Sequence, residues 1–421
     1  MTAPTVAPTP DETSTTRLGG VDGMRAIAAG FVFAYHGSVL LGLGGFMARH
    51  WNIVGLFGPL GVCIFFVISG FLLFRPFVGA ILGDRTAPGS GSFWLRRSLR
   101  VLPAYWVALA LLWLVFDKID IPNTGDFFTY FGLVQNYRTG FADGGLDVAW
   151  TLVIEMSFYL VLPVFAALLI LLARRTRTMR SRALIALGGA VAWFVAGVGL
   201  RIWDIWFRHS PPSPRGEWFG VSQLMRWLPG YLHWFAGGMV LAVVIEWSRR
   251  GHPLPAVVRL LSDHPWVSWL IAFACLGANI AVDIPQNAYT GTPWQGFIVT
   301  LFTPLFATFL FLPSVVGHPQ SLIRRSLAWG PVAWLGLISY GFYLWHRPIM
   351  VEIISDTSGA GSRTGLAWFV LRYTMAFVVT VAFAAASYYA VERPFIALSH
   401  RWTRRRSTVA TDARAVTGAR S

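Results

Sequence analysis

Ten separate apolar stretches punctuate the chain, at residues 24–45, 54–74, 101–117, 148–172, 183–203, 227–247, 266–283, 294–316, 331–354 and 366–390. Each is close to the ~20 residues an α-helix needs to cross a bilayer. Inside lipid every backbone polar group has to be satisfied within the protein, so stretches of this length fold as helices. The expectation is an all-α, polytopic membrane protein with about ten transmembrane helices. The stretch at 101–117 is the shortest, and that at 294–316 contains Pro304 and Pro313. Composition agrees with this class. Of 421 residues, 55% are hydrophobic and 13% charged, against about a quarter charged in an ordinary soluble domain.

Charge supplies the orientation. The loops at 75–100, 173–182, 248–265 and 317–330 are rich in arginine, with Arg96, Arg97 and Arg100 in the first and Arg174 to Arg182 in the second. The alternate loops at 46–53, 118–147, 204–226, 284–293 and 355–365 are poorer in arginine and hold Asp120, Asp126, Asp143, Asp147, Asp204, Glu217 and Asp356. By the positive-inside rule, ten spans then leave both termini in the cytoplasm. Residues 1–20, polar and rich in Pro and Thr, read as a disordered cytosolic tail without a cleavable signal peptide. Residues 21–396 form the membrane domain and 397–421 a basic cytosolic tail that suits anionic lipid. The net charge of +15 does not point to nucleic acid, because the arginines lie in short clusters between apolar runs, where topology places them.

The two cysteines, Cys63 and Cys275, lie in apolar runs and form no CxxC pair, and the nine histidines show no metal spacing, so no metal is expected. Attention falls instead on charges within the spans, which cost at least about 2.5–3.5 kcal/mol each to insert. In the first span Arg25 follows Asp22, which is placed to cap the helix. His36 is eleven residues further on, roughly 16 Å along the axis and on the same face. Ala29 and Val32 lie between them with Ala28 adjacent, leaving a small-residue groove. From this span alone Arg25 reads equally as a snorkelling anchor, and His36 as a core histidine bonded to a neighbouring helix.

Two other spans add weight. In AWTLVIEMSFYLVLP, Glu155 is about two turns from the outer end and Tyr159 one turn beyond it. A buried carboxylate needs a partner or a proton, and a buried histidine is a natural one. In LGLISYGFYLWHRPI, Ser339, Tyr343 and His346 form a polar stripe that either packs against a polar face or lines a wet cavity. Trp345 and His346 read equally as part of an outer-interface aromatic belt. Just before the third span, FWLRRSLRVLP sets Arg97 and Arg100 at i, i+3 beside Arg96. Such a pair suits a phosphorylated ligand, although the same residues also fit a plain positive-inside anchor.

Six motifs in order resemble the acyltransferase 3 family of bacterial membrane acyltransferases: LGGVDGMRAIAAGFVFAYH, FFVISGFLLFRPF, FWLRRSLRVLPAYW, AWTLVIEMSFYLVLP, ISYGFYLWHRPI and AVERPF, the last with Glu392. The stretch TLVIEMSFY departs modestly from the family in the polar residues that flank that glutamate. The resemblance implies transfer of an acyl group, usually acetyl from acetyl-CoA or another acyl-CoA, to a hydroxyl of a sugar, glycolipid or small-molecule acceptor. It implies a multi-pass protein of the bacterial cytoplasmic (inner) membrane, surrounded by membrane lipids. The expected catalytic residues are His36, as base or nucleophile, Glu155 orienting it, and Arg25; Arg97, Arg100 and Arg96 would bind the donor, with Arg25 also in reach of its phosphates. Ser339, Tyr343, His346 and Tyr159 would line the acceptor side. The competing reading is a transporter or flippase of a lipid-linked glycan, a class that often shows inverted repeats and interrupted half-helices; neither is clear here.

Overall fold

The structure, a computed structural model, describes residues 19–40, 52–142, 144–209, 225–282, 292–318, 320–355 and 366–402. Most of both expected tails (1–18 and 403–421) and much of the expected outer loops lie outside the described residues, as does Asp143. Among those described are fourteen α-helices and no strand. They are α1 (Gly19–Leu40), α2 (Asn52–Leu82), α3 (Ser90–Leu114), the short α4 (Thr124–Phe131), α5 (Trp150–Arg174), α6 (Met179–His209) and α7 (Leu232–Ser248). There follow α8 (Ala256–Asp263), α9 (Pro265–Ala281), α10 (Pro293–Val315), α11 (Leu322–Leu327), α12 (Gly330–Leu337), α13 (Ser339–Ser355) and α14 (Leu366–Ser387).

Seven helical segments are long and apolar enough to cross a membrane, or up to eight if the pair α8 and α9, bent by 102°, makes one span. Helix occupies most of the described part of all ten apolar stretches, but three of them yield no such single helix. The first span carries Asp22, Arg25 and His36 within its 22 described residues. The stretch at 266–283 folds as the 17-residue α9, set at a sharp angle to α8. The stretch at 331–354 is interrupted at Ile338 into α12 and α13. By contrast, α10 runs unbroken through both Pro304 and Pro313. Neighbouring helices and side chains can absorb the groups that a proline frees in a buried helix; Ser268 of α9, for instance, donates at 2.6 Å to the Phe309 carbonyl, the one that Pro313 leaves without its helical N–H partner.

Helix α2 is the hub, packed against α1, α5, α7 and α10. It meets α7 backbone to backbone, for a side chain at Gly238 would run into the Val67 carbonyl. Small residues permit such close crossings where hydrophobic force between helices is absent. Beside the crossing, Phe235 stacks on Phe66 at 4.5 Å and on Phe158 at 4.1 Å, joining α2, α5 and α7. On the other side Gly61 of α2 sits against Ala28 and Val32 of α1. That contact fills the face where small residues suggested an open groove.

At one end of α2 and α7 is a compact ion cluster. Arg75 Nε donates to Glu246 Oε1 at 2.6 Å, Arg250 Nη1 reaches Glu246 Oε2 at 2.9 Å, and Arg250 Nη2 reaches Asp84 Oδ1 at 2.5 Å. Two cations thus meet two carboxylates, with Glu246 buried between them.

A buried cavity with three arginines and an adjoining histidine pair

Helix α3 begins well before its apolar stretch, at Ser90. The arginines expected in the preceding loop are therefore on the helix itself, and Arg97 and Arg100 turn inward one turn apart. Arg25 approaches them from α1, whose described part starts at Gly19. Asp22 accordingly lies within the first described turn of α1 rather than at a cap. All three arginines line one cavity together with Ser69 of α2, Glu155 and Tyr159 of α5, and Ser339, Tyr340 and Tyr343 of α13. The cavity outlines about 870 Å³ of space, open solvent at its mouth included.

Its electrostatics are lopsided. Among the described residues none of the three guanidiniums is in an ion pair, and Arg25 Nε and Arg97 Nε are buried without a hydrogen-bond partner. Glu155 is the one carboxylate among the lining residues; it acts electrostatically on both Arg25 and Arg97 and accepts a 2.7 Å hydrogen bond from Ser69. A second buried acid, Glu392, stands behind the lining. It interacts with Arg100 and Arg25 and packs its carboxylate against Gly341 of α13. The π-helical turn Tyr388–Glu392 that follows α14 places it there.

The expected histidine lies beyond the far wall. Tyr343 forms that wall, its hydroxyl donating to the Val148 carbonyl at 3.0 Å and lying 2.9 Å from the Thr151 hydroxyl. Behind it His346, fully buried, places Nε2 at 3.1 Å from His36 Nδ1. The sequence pairs His36 with Glu155, whereas the described contacts pair His36 with His346 and Glu155 with Ser69. Ser339, Tyr343 and His346 do share one face, but it points into the protein. Trp345 and His346 are both buried, so neither is part of an outer belt. Arg96 is not among the cavity-lining residues.

Residues that sequence reasoning did not single out are Ser69, Thr151 and Tyr340, all at the cavity; Glu392, behind it, is named in the AVERPF motif but given no role there. Ser69 had a readable signal, since a lone serine in FFVISGFLL is a polar group in an apolar span. Tyr340 had less, because it interrupts the Ser339–Tyr343–His346 spacing. Its hydroxyl donates to the Val101 carbonyl at 2.8 Å and so ties α13 to α3.

Comparison with known proteins bears on this arrangement. The profile of the family described as "Acyltransferase domain" (Acyl_transf_3) matches residues 18–389. Similar proteins include the "Putative peptidoglycan O-acetyltransferase YrhL" of Bacillus subtilis (strain 168), 26% identical over 393 residues, covering 89% of this chain and 54% of that protein. Another is the "Peptidoglycan O-acetyltransferase OatA" of Listeria monocytogenes serovar 1/2a, 24% identical over 346 residues, with 78% and 49% covered. A third is the "Putative O-acetyltransferase SACOL0978" of Staphylococcus aureus (strain COL), 28% identical over 392 residues, with 89% and 57% covered. The chain thus spans about half the length of these relatives. No solved structure matches it.

Proposed function

The chain belongs to the Acyl_transf_3 family of acyltransferases, and from that premise we propose that it is a membrane O-acyltransferase of the bacterial cytoplasmic membrane, moving an acetyl or other acyl group from acyl-CoA to a hydroxyl of a cell-envelope sugar or glycolipid. In this reading the polypeptide crosses the bilayer ten times with both termini in the cytoplasm, which sets the arginine end of the cavity towards the cytosolic donor.

One observation carries the reading. Three arginines from two helices converge on a cavity whose lining holds a single carboxylate. Such an excess of buried positive charge is costly without an anion to bind, and guanidiniums suit phosphate through charge-assisted, bidentate hydrogen bonds. Arg25, Arg97 and Arg100 hold the donor's phosphates. Glu155, fixed by Ser69, limits the excess charge and keeps Arg25 and Arg97 oriented. The thioester end then extends along the Ser339–Tyr343 side towards His36. There the acceptor hydroxyl gives its proton to His36 as its oxygen bonds to the acyl carbon. The carbon–sulfur bond breaks, and the thiolate of coenzyme A recovers the proton.

The test uses the purified full chain in lipid nanodiscs with labelled acetyl-CoA and a cell-wall glycan fragment as acceptor. Expected are saturable donor binding, label transfer to the glycan, and loss of transfer by at least about 100-fold in His36→Ala with donor binding retained. Normal transfer by His36→Ala would overturn the assignment of the base. Donor affinity unchanged in the double variant Arg97→Ala, Arg100→Ala would overturn the phosphate site.

A further inference from the structure

The contacts of the histidine pair leave little freedom in where its protons sit. His346 Nδ1 is 2.7 Å from the Tyr343 carbonyl, which only accepts, so the His346 proton is on Nδ1 and its Nε2 bears a lone pair. His36 Nδ1 is 3.0 Å from the Val32 carbonyl and 3.1 Å from that same Nε2. Both neighbours are acceptors, so His36 carries its proton on Nδ1 and shares it between them. One ring nitrogen of His36 remains, Nε2, whose lone pair meets no hydrogen-bond donor among the described residues. His346 is wholly enclosed while His36 is partly exposed, so the reachable member of the pair is the one with a free lone pair. The cation next in the chain, Arg347, is held by Asp147.

We propose that His346 is a positioning residue: by accepting from His36 Nδ1–H it fixes the tautomer and the ring plane in which His36 Nε2 takes the proton of the acceptor hydroxyl. This rests on the reading of His36 as the base. In hydrolases with a serine–histidine–aspartate triad, a carboxylate performs the same service for a histidine. Here a neutral imidazole does so, itself oriented by a backbone carbonyl within α13. The arrangement suits a membrane interior, because a neutral acceptor holds the base without adding a buried charge. It also couples the base to the cavity, since the Tyr343 side chain lines the cavity and its carbonyl holds His346.

The test compares His36→Ala, His346→Ala, His346→Gln and His346→Asn in the purified full chain, with kcat and KM for acetyl-CoA measured on each and folding checked by thermal unfolding. A glutamine carbonyl falls near the position of imidazole Nε2 and can accept from His36, whereas an asparagine carbonyl falls near Nδ1 and cannot. In His346→Ala, kcat should fall by at least about 100-fold while KM for the donor stays within about threefold. His346→Gln should recover at least tenfold of that loss (about one logarithm of rate), and His346→Asn should not. Wild-type kcat in His346→Ala alongside an inactive His36→Ala would overturn this inference and leave the proposed function standing. Equal defects in folded His346→Gln and His346→Ala would also overturn it. An active His36→Ala would overturn both.

Discussion

Two groups of inward-facing arginines lie in this protein, and they differ in charge balance. At the α2–α7 end, Arg75 and Arg250 are matched by Glu246 and Asp84, each carboxylate within 2.9 Å of a guanidinium. Around the cavity, Arg25, Arg97 and Arg100 face one lining carboxylate, Glu155, with Glu392 set behind, and none of the three is in an ion pair among the described residues. The first group closes on itself and can act only on stability. In the proposed function the second is completed by the phosphates of the donor. Positive charge inside a membrane protein is therefore informative through what fails to balance it, rather than through its amount.

That contrast can be broken in stages. The largest effect belongs to the balanced cluster. Glu246→Ala removes the carboxylate of Arg75, leaves Arg250 with Asp84 alone, and is expected to cost about 3–5 kcal/mol of stability, read as a lower unfolding midpoint in detergent. Donor affinity per folded molecule should stay as it is. The double variant Arg97→Ala, Arg100→Ala should do the reverse, unfolding near the wild-type temperature while acetyl-CoA affinity, measured by titration calorimetry, falls about 100-fold, or roughly 2.7 kcal/mol. If both variants lose stability and affinity together, the two groups are not functionally distinct. Ser69→Ala frees Glu155 from its hydroxyl donor, and a loss of about five- to tenfold in turnover at saturating donor is expected from one hydrogen bond to a charged group. The smallest effect is at the exposed pair Lys118–Glu352, far from both groups in exposure and in partners. Lys118→Ala should change stability by less than about 1 kcal/mol.

Much of this was legible in the sequence because a bilayer forces helices to announce themselves by length and hydropathy. Charged groups within the spans were legible for the same reason: insertion is costly enough that Arg25, His36 and Glu155 could be read directly, whereas Arg97 and Arg100 were read in the loop before the third span and lie on α3 instead. What could not be read was the pairing. Glu155 and His36 are each a natural partner for the other in a low-dielectric interior, yet Ser69 and His346 hold them instead. That choice depends on the rotation of α1, α5 and α13 about their axes, which local spacing does not determine. The groove expected along Ala28, Ala29 and Val32 failed on a similar point. A row of small residues marks close approach equally well whether the visitor is a ligand or, as here, Gly61 of the adjacent helix.

The π-helical turn at Tyr388–Glu392 has a consequence for how relatives of this chain should be aligned. A π turn accommodates one residue more than the α turn it replaces, so every side chain beyond it is rotated by about 100° from its α-helical place. Glu392 faces Gly341 and the arginines because that extra residue is present. A chain one residue shorter between Ser387 and Glu392, continuing as plain α-helix, would aim its glutamate elsewhere on the helix surface. Its equivalent acid would then have to be sought one position along, and a gap in this turn would mark a relocated carboxylate rather than a dispensable residue.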